Sequence, residues 1–276
     1  MKKPIGQFLM IFAAVAMLLT ACDLFNNPGN QIGLTTLAVN ATLPGAVPLA
    51  RPAPGSRAVT SIELTVDYPA GTAVGIISLT TVRFVLKEFE LEQEGDVDAE
   101  FEFEGPYLVD LLAETMTPEP VAVDLPPGTY SQVKFKIDRI EGDEEETVGT
   151  PLVAADDPLF GHSMYLAGTY TPTGGEAVGF TYTFDVDAEF ELTPAADTSI
   201  GFDIMDTVVN DVMIAFRLGR WFDGIDPAAF AAAPGDYAEE LKENIKGSAD
   251  YGKDEDHDGV LESSEDDDPD IEDDDD

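Results

Sequence analysis

The chain is poor in cysteine, histidine, tryptophan and basic residues. It has one Cys, two His, one Trp and 14 Lys and Arg, against 55 Asp and Glu, which gives a formal net charge of −41 over 276 residues. One thiol cannot form an internal disulfide, so a disulfide framework is excluded. Nucleic acids and anionic membrane surfaces need a basic footprint, so neither is expected as a partner of the folded body. Zinc-type Cys/His spacings and phosphate-binding glycine loops are also missing from the sequence.

The sequence also lacks a hydrophobic run long enough to cross a bilayer. The longest run near the N-terminus, Phe8–Leu19, has twelve residues, whereas a spanning helix needs about twenty. Lys2 and Lys3 precede this run and small residues follow it. This layout is typical of a secretory signal, and we predict a signal peptide over residues 1–21.

The residues that end this signal, Leu19-Thr20-Ala21-Cys22, resemble a bacterial lipobox. The resemblance implies that the Cys22 thiol receives a diacylglyceryl group, and that the chain is cut before Cys22 and acylated there. Several acyl chains on one residue anchor a protein stably in a lipid bilayer. The expected location is therefore the bacterial cell envelope, on either membrane, facing the periplasm or the surface. The alternative is an ordinary signal peptide followed by an unrelated cysteine.

Residues 22–58 are rich in Pro, Gly, Asn and Ala and contain one aromatic residue, Phe25. This composition is typical of a linker, and we predict a flexible tether between the lipid anchor and the folded domain. Within it, Leu34–Leu43 is apolar enough to pair as an edge strand, which we keep as an alternative.

Residues 59–226 are rich in β-branched and aromatic residues that alternate with polar ones, and turn sequences such as PPGT and GGEA separate the runs. The alternation predicts eight strands, and the absence of long helical segments between them favours an all-β, antiparallel β-sandwich over an α/β fold. The predicted strands are 61–68, 78–93, 99–105, 119–125, 130–140, 163–171, 178–193 and 213–222.

One part of this body, Tyr107–Ile140, resembles a group of bacterial lipoprotein β-sandwich domains of unknown function. The similarity lies in the turn Asp110-Leu111-Leu112 and in the corner Pro126-Pro127-Gly128-Thr129-Tyr130. It implies that Tyr130 closes one end of the sandwich and that its hydroxyl group binds the backbone. The same corner is similar to that of periplasmic copper-carrier sandwiches, which use His, Met or Trp near the metal. The body has one His, His162, and one Trp, Trp221.

The body shows no catalytic set, and we expect no enzymatic activity. Gly161-His162-Ser163 does not have the Gly-x-Ser-x-Gly pattern of a nucleophile elbow, and we predict His162 in a loop or at the start of a strand. The run Glu141–Glu146 is predicted to be a solvated surface loop. The alternating acids Asp185, Asp187, Glu189 and Glu191 are predicted to line the exposed face of a strand.

Residues 227–253 have a helical pattern. Asp236 and Glu239 have the spacing of a capping box. Tyr237, Leu241 and Ile245 recur every four residues on one predicted helical face, and Gly247 is the expected end of the helix.

Twelve residues near the end of the chain, DEDHDGVLESSE (254–265), resemble an EF-hand calcium loop. In such a loop, ligands occupy positions 1, 3, 5, 7, 9 and 12, and position 6 is Gly. The predicted Ca²⁺ ligands are Asp254, Asp256, Asp258, the carbonyl group of Val260, Glu262 and Glu265. Gly259 and the apolar Leu261 match positions 6 and 8. Residues 266–276 follow as a predicted disordered acidic tail.

The flanks of this loop depart from the EF-hand pattern. Pro269 and the dense negative charge oppose an exiting helix, and the sequence offers no second loop to pair with this one. A single loop is expected to bind Ca²⁺ with a Kd of about 0.1–1 mM. The alternative is a polyanionic tail without a defined metal site.

Together these features predict a membrane-anchored, non-enzymatic envelope protein. It would bind calcium through the C-terminal loop and an unidentified envelope or extracellular protein or glycan through the sandwich. The alternative function is a periplasmic metal-ion carrier or sensor whose site lies in the sandwich.

Overall fold

Fourteen strands and two short α-helices make up the computed structural model, which describes residues 33–42, 61–69, 72–95, 100–140, 152–194, 201–206, 209–254, 261 and 269–271. The helices are α1 (Pro227–Ala232) and α2 (Ala238–Lys246), and 3-10 turns cover Leu218–Arg220 and Pro234–Tyr237. The strands are β1 (Gly33–Thr42), β2 (Ile62–Asp67), β3 (Ala73–Gln93), β4 (Glu100–Asp110), β5 (Thr115–Thr117), β6 (Val123–Leu125), β7 (Gly128–Ile137), β8 (Met164–Pro172), β9 (Val178–Phe184), β10 (Ala188–Pro194), β11 (Phe202–Ile204), β12 (Asn210–Arg217), β13 (Ala249–Lys253) and β14 (Pro269–Ile271).

The long strand β3 organises the larger sheet. Its first half pairs with β2 and β8, and its second half pairs with β4 and β7. The register shifts between Leu79 and Thr81 and between Leu86 and Glu88, and such bulges bend a strand and increase its twist. The sheet continues through β8 to β9 on one half, and through β7 to β10 and β14 on the other.

A second sheet has the order β13-β12-β1-β6 and packs on the larger one. Its Phe216 ring lies 5.5 Å from that of Phe84, 6.1 Å from Phe135 and 6.2 Å from Phe190, measured between centroids. These edge-on aromatic contacts fill the space between the two sheets. The predicted all-β sandwich is confirmed. One pairing departs from antiparallel geometry, because β1 runs parallel to β12.

Strand β1 contradicts the predicted tether over part of its length. Gly33–Thr42 lies inside the smaller sheet between β12 and β6, and Thr35, Leu37 and Val39 are buried. The period-two alternation of these residues outweighs the Pro and Gly content around them. The alternative of an edge strand over Leu34–Leu43 predicted a strand at the right place in the sequence. It was wrong about the position in the sheet, because β1 has a neighbour on each side. The rest of the tether, the signal peptide and Cys22 lie outside the described residues.

Three predicted strands change shape. The predicted strand 213–222 becomes β12, which ends at Arg217, and its next residues form the 3-10 turn Leu218–Arg220. The predicted strand 178–193 divides into β9 and β10 at Asp185–Asp187, where Asp187 has a φ of 41°, a backbone conformation typical of turns. The predicted strand 119–125 shortens to β6. The exposure of Asp185, Asp187 and Glu189 around buried Val186, Ala188 and Phe190 follows the predicted alternation.

The turn and the corner have the expected local structure. Tyr130 is fully buried, and its hydroxyl group donates a hydrogen bond of 3.0 Å to the Pro126 carbonyl oxygen. Burial raises the pKa of Tyr130 to about 12. At the turn, the Asp110 carboxylate accepts hydrogen bonds from the backbone N–H groups of Leu112 and Ala113.

The capping-box prediction is wrong. Asp236 lies within the second 3-10 turn, and α2 begins at Ala238 without a side-chain cap. Pro234 starts this turn, and its fixed φ favours such a beginning. Asp226 caps α1 instead, accepting from the N–H groups of Ala228 and Ala229. Leu241 and Ile245 are buried and Gly247 ends α2, as predicted.

The helices cover the inner face of β8 and β9. The Phe230 ring of α1 lies 5.2 Å from Phe180, 5.4 Å from Phe222 and 6.3 Å from both Tyr182 and Tyr237. This aromatic cluster packs α1 and the second 3-10 turn against β8 and β9.

Three residues of the predicted disordered tail are ordered. Pro269–Ile271 forms β14, which pairs with β10 and places Ile271 opposite Leu192. The prediction from charge alone missed this pairing, because it took no account of the apolar Ile271 within the acidic run, which pairs with Leu192.

Candidate metal centre

The chain reaches the predicted calcium loop through a strand that begins directly after α2. Gly247 donates its N–H to Glu243 O at 2.9 Å. The Ser248 hydroxyl group donates to Ile245 O and accepts from the Trp221 indole N–H, both at 2.7 Å. These bonds fix the turn into β13, so a strand stands where an EF-hand has its entering helix. We did not predict β13, because its sequence, ADYGK, has little strand signal.

Asp254, at position 1 of the predicted loop, is the first residue after β13. It is only 2% exposed, and its N–H donates to the Asp211 carbonyl oxygen at 2.9 Å. This bond continues the β12–β13 ladder by one residue, so Asp254 and Asp211 occupy neighbouring positions on one face of the sheet. The Asp211 side chain accepts a hydrogen bond from the Thr36 hydroxyl group of β1. Two acidic residues are therefore paired across β12 and the end of β13, where the predicted loop begins.

The lysine next to Asp254 belongs to the opposite face. Successive side chains of a strand point to opposite faces, and the Lys253 ammonium group donates to the Asp203 carbonyl oxygen of β11 at 3.1 Å. Because Lys253 is buried with this partner, its charge is directed away from the face that carries Asp254 and Asp211.

Leu261, at position 8 of the predicted loop, is 9% exposed and packs against Met213 and Ala215 of β12. Met213 and Ala215 alternate with the inward-facing Val212, Ile214 and Phe216, so they lie on the outer face of the smaller sheet, as Asp211 does. The first residue of the twelve and its apolar anchor therefore both contact this outer face.

The other predicted ligands, Asp256, Asp258, Val260, Glu262 and Glu265, lie outside the described residues. Within the described ranges, no group of three or more His, Cys, Asp or Glu side chains is placed to hold a metal ion. Asp211 was not identified from the sequence, because only the pairing of β12 with β13 brings it beside Asp254.

A second charged pair lies further along the outer face of the smaller sheet. Arg217 of β12 forms a salt bridge with Asp250 of β13, whose side chain is 5% exposed. Asp250 pairs with Ala215 in the register of these strands. The ion pair fixes the start of β13, and the carboxylates of Asp211 and Asp254 lie at its other end.

His162 and Ser163 have structural contacts. His162 lies in the turn before β8, as predicted, with its Nδ1 atom 3.5 Å from the Asp185 carboxylate. The buried Ser163 hydroxyl group accepts from Val186 N–H at 2.7 Å and donates to Phe184 O at 3.4 Å. These bonds join the start of β8 to the β9–β10 connection.

Asp157 and Arg83 form an ion pair on the outer face of β3, with hydrogen bonds of 2.9 and 3.0 Å. Burial alone would raise the pKa of Asp157, but hydrogen bonds from Arg83 and from Leu159 N–H, together with the Arg83 charge, lower it below its usual value of 3.8. The pair holds the 152–162 segment over Val85.

Comparisons with known protein families, with curated proteins and with solved structures return no match for this chain. Among the residues that the structure describes, no helix is long and apolar enough to cross a membrane.

Proposed function

We propose that the protein is a lipid-anchored bacterial envelope protein without enzymatic activity, which binds Ca²⁺ through residues 254–265 and a partner through its β-sandwich. The observation that carries the calcium proposal is the way the loop is held. Its position 1 is buried at the end of β13, and its position 8 packs on β12. Both positions are thereby fixed on one sheet, which lowers the entropy cost of closing a loop around an ion.

The sequence supports the same proposal. Asp, Asp, Asp, Gly, Glu and Glu occupy positions 1, 3, 5, 6, 9 and 12, where a calcium loop uses oxygen ligands and a sharp turn. A lone acidic tail has no need for Gly at position 6 or for a buried Leu at position 8. The Asp211 carboxylate beside Asp254 adds negative charge at the entrance of the loop.

Calorimetric titration of Ca²⁺ into residues 23–276, in physiological salt with excess Mg²⁺, tests this proposal. Glu265→Gln removes the expected bidentate ligand, and Glu272→Gln makes the same chemical change seven residues further on. We expect one saturable site in the wild type and in Glu272→Gln, and at least a tenfold weaker site in Glu265→Gln. Equal, unsaturable heats in all three proteins would mean that the tail is only a polyanion.

The same proteins test the alternative of a metal carrier. A titration with Cu²⁺ or Zn²⁺ that gives a saturable site unchanged by Glu265→Gln would place a metal site in the sandwich. Loss of that site in Glu265→Gln would assign it to the loop.

The anchor is tested separately, by expression of the full chain in a Gram-negative host fed with labelled palmitate. We expect label and membrane association in the wild type, and the loss of both in Cys22→Ser. A Cys22→Ser protein that keeps its label and stays in the membrane fraction would contradict acylation at Cys22.

A further inference from the structure

Strand β9 forms one edge of the larger sheet in the described part of the chain. Within the described part of the chain it pairs with β8 alone. Its sequence, VGFTYTF, contains no charged residue and no proline, in a protein of net charge −41. Its register with β8 is unbroken from Met164↔Phe184 to Tyr170↔Val178. Edge strands of soluble proteins are normally protected by charges, proline or bulges, so this edge has the properties of a strand that accepts another.

The outer face beside this edge has room for a side chain. A shallow groove of about 370 Å³ lies there, and Gly179 of β9 forms part of it. A Cβ atom added to Gly179 would meet only the Gly168 carbonyl oxygen, at 3.9 Å. Val178, at the start of the strand, is 48% exposed. The remaining lining residues are Thr80, Ala167, Gly168, Phe180 and Thr181.

Carboxylates surround the uncharged strand. Glu176 precedes it and Asp185 follows it. On the helical side, burial first and then the negative charge of Glu239 raise the pKa of Tyr182. The second 3-10 turn, which carries Asp236, packs beside β9. A segment docking along the edge would therefore enter a negative field.

We propose that the exposed edge of β9 binds an extended, lysine- or arginine-containing segment of a partner protein, which adds to the sheet as a further strand. Backbone hydrogen bonds provide the affinity in this mode, and the side chains that alternate along the segment provide the specificity. A small side chain of the segment would lie over Gly179, and its basic side chains would face the surrounding carboxylates. A second copy of this chain is disfavoured, because it would bring two acidic surroundings together.

The inference rests on the proposed partner-binding role but is independent of calcium. Its test uses residues 23–276 and a blocked eight-residue peptide in which Lys alternates with Val. Two further peptides are N-methylated, one at all Lys residues and one at all Val residues. Only one of these two sets of N–H groups faces β9 in a paired strand, so we expect one methylated peptide to bind at least tenfold more weakly and the other to bind almost normally.

Hydrogen exchange locates the site. We expect the Lys/Val peptide to protect amide groups of Val178–Phe184, and we expect the affinity to fall several-fold in Glu239→Gln but not in Glu119→Gln, which lies in the β5–β6 connection. Equal binding of both methylated peptides, protection elsewhere, or no binding would overturn the inference. Dimerisation in sedimentation with protection of β9 in the absence of peptide would assign the edge to a second copy and would also overturn it.

Calcium titration of the same samples separates the two proposals. Intact calcium binding without peptide protection would remove the edge inference and leave the calcium proposal standing. Peptide protection of β9 without a calcium site would remove the calcium proposal and leave the edge inference standing.

Discussion

Strands β9 and β10 follow one another in the chain, yet their outer edges differ. The edge of β10 is covered by β14, which comes from the acidic tail. The edge of β9 has no paired strand among the described residues. Strand β9, VGFTYTF, contains neither a charged residue nor a proline, whereas β10, AEFELTP, contains two Glu residues and a Pro. The C-terminal segment of the chain covers the edge of β10, and under the inference above the edge of β9 receives a strand from a partner.

The largest loss of stability is expected from a substitution in the aromatic cluster through which α1 packs on β9. Phe230→Ala would leave a cavity among Phe180, Tyr182 and Phe222, and we expect it to lower the free energy of unfolding by about 3–5 kcal/mol. Urea denaturation followed by tryptophan fluorescence measures this change. A loss below about 1 kcal/mol would show that the helices do not support β9.

A smaller loss of stability is expected on the outer face of the smaller sheet, where Leu261 packs. Leu261→Ala removes the apolar contact with Met213 and Ala215, and we expect a loss of about 2 kcal/mol together with weaker Ca²⁺ binding. The control is Val121→Ala at a site that is 79% exposed, where neither quantity should change. Unchanged calcium affinity in Leu261→Ala would separate this contact from the metal site.

A still smaller loss of stability is expected at Tyr130, which lies on β7 and at neither of the two compared edges. Tyr130→Phe removes the hydrogen bond to Pro126, and we expect a cost of about 1 kcal/mol at pH 7. The folded-state pKa of about 12 lies above the usual value of 10. Its contribution to stability is therefore complete below pH 10 and is lost as the pH rises towards 12. Denaturation between pH 9 and 12 should show a loss in the wild type that is reduced in Tyr130→Phe. Parallel curves would contradict the assignment.

The smallest change in stability is expected from opening the covered edge. A chain that ends at Asp268 lacks β14, and we expect it to lose less than about 1 kcal/mol, since three paired residues barely offset their ordering entropy. Hydrogen exchange should quicken at β10 and stay unchanged at β9. Faster exchange at both strands would mean that the two edges are coupled.

The sequence predicted the sandwich well where alternation was regular. In β7, Val133, Phe135 and Ile137 are buried as expected, because side-chain period alone decides which face of such a strand is buried. The Tyr130 corner was predictable for a similar reason, since its proline and glycine define the local backbone. The resemblance to lipoprotein domains and the lipobox stay predictions.

Other elements depend on tertiary contacts that local patterns do not contain. Strand β1 is stabilised by partners distant in sequence, β12 and β6, so the surrounding prolines and glycines were misleading. Strand β13 has weak propensity and forms because β12 offers an edge. The proximity of Asp211 to Asp254 follows from that pairing, so no motif search could have identified Asp211 as part of the candidate site.

The position of β1 has a mechanical consequence for an anchored protein. Ten residues separate Cys22 from Gly33, and they span at most about 35 Å when fully extended. Under the proposed anchor, the short linker would keep the domain close to the bilayer. A pull from the membrane would enter the domain along β1, between two neighbouring strands. Such a force shears many backbone hydrogen bonds at once, so the attachment should resist tension far better than a hairpin peeled from its end.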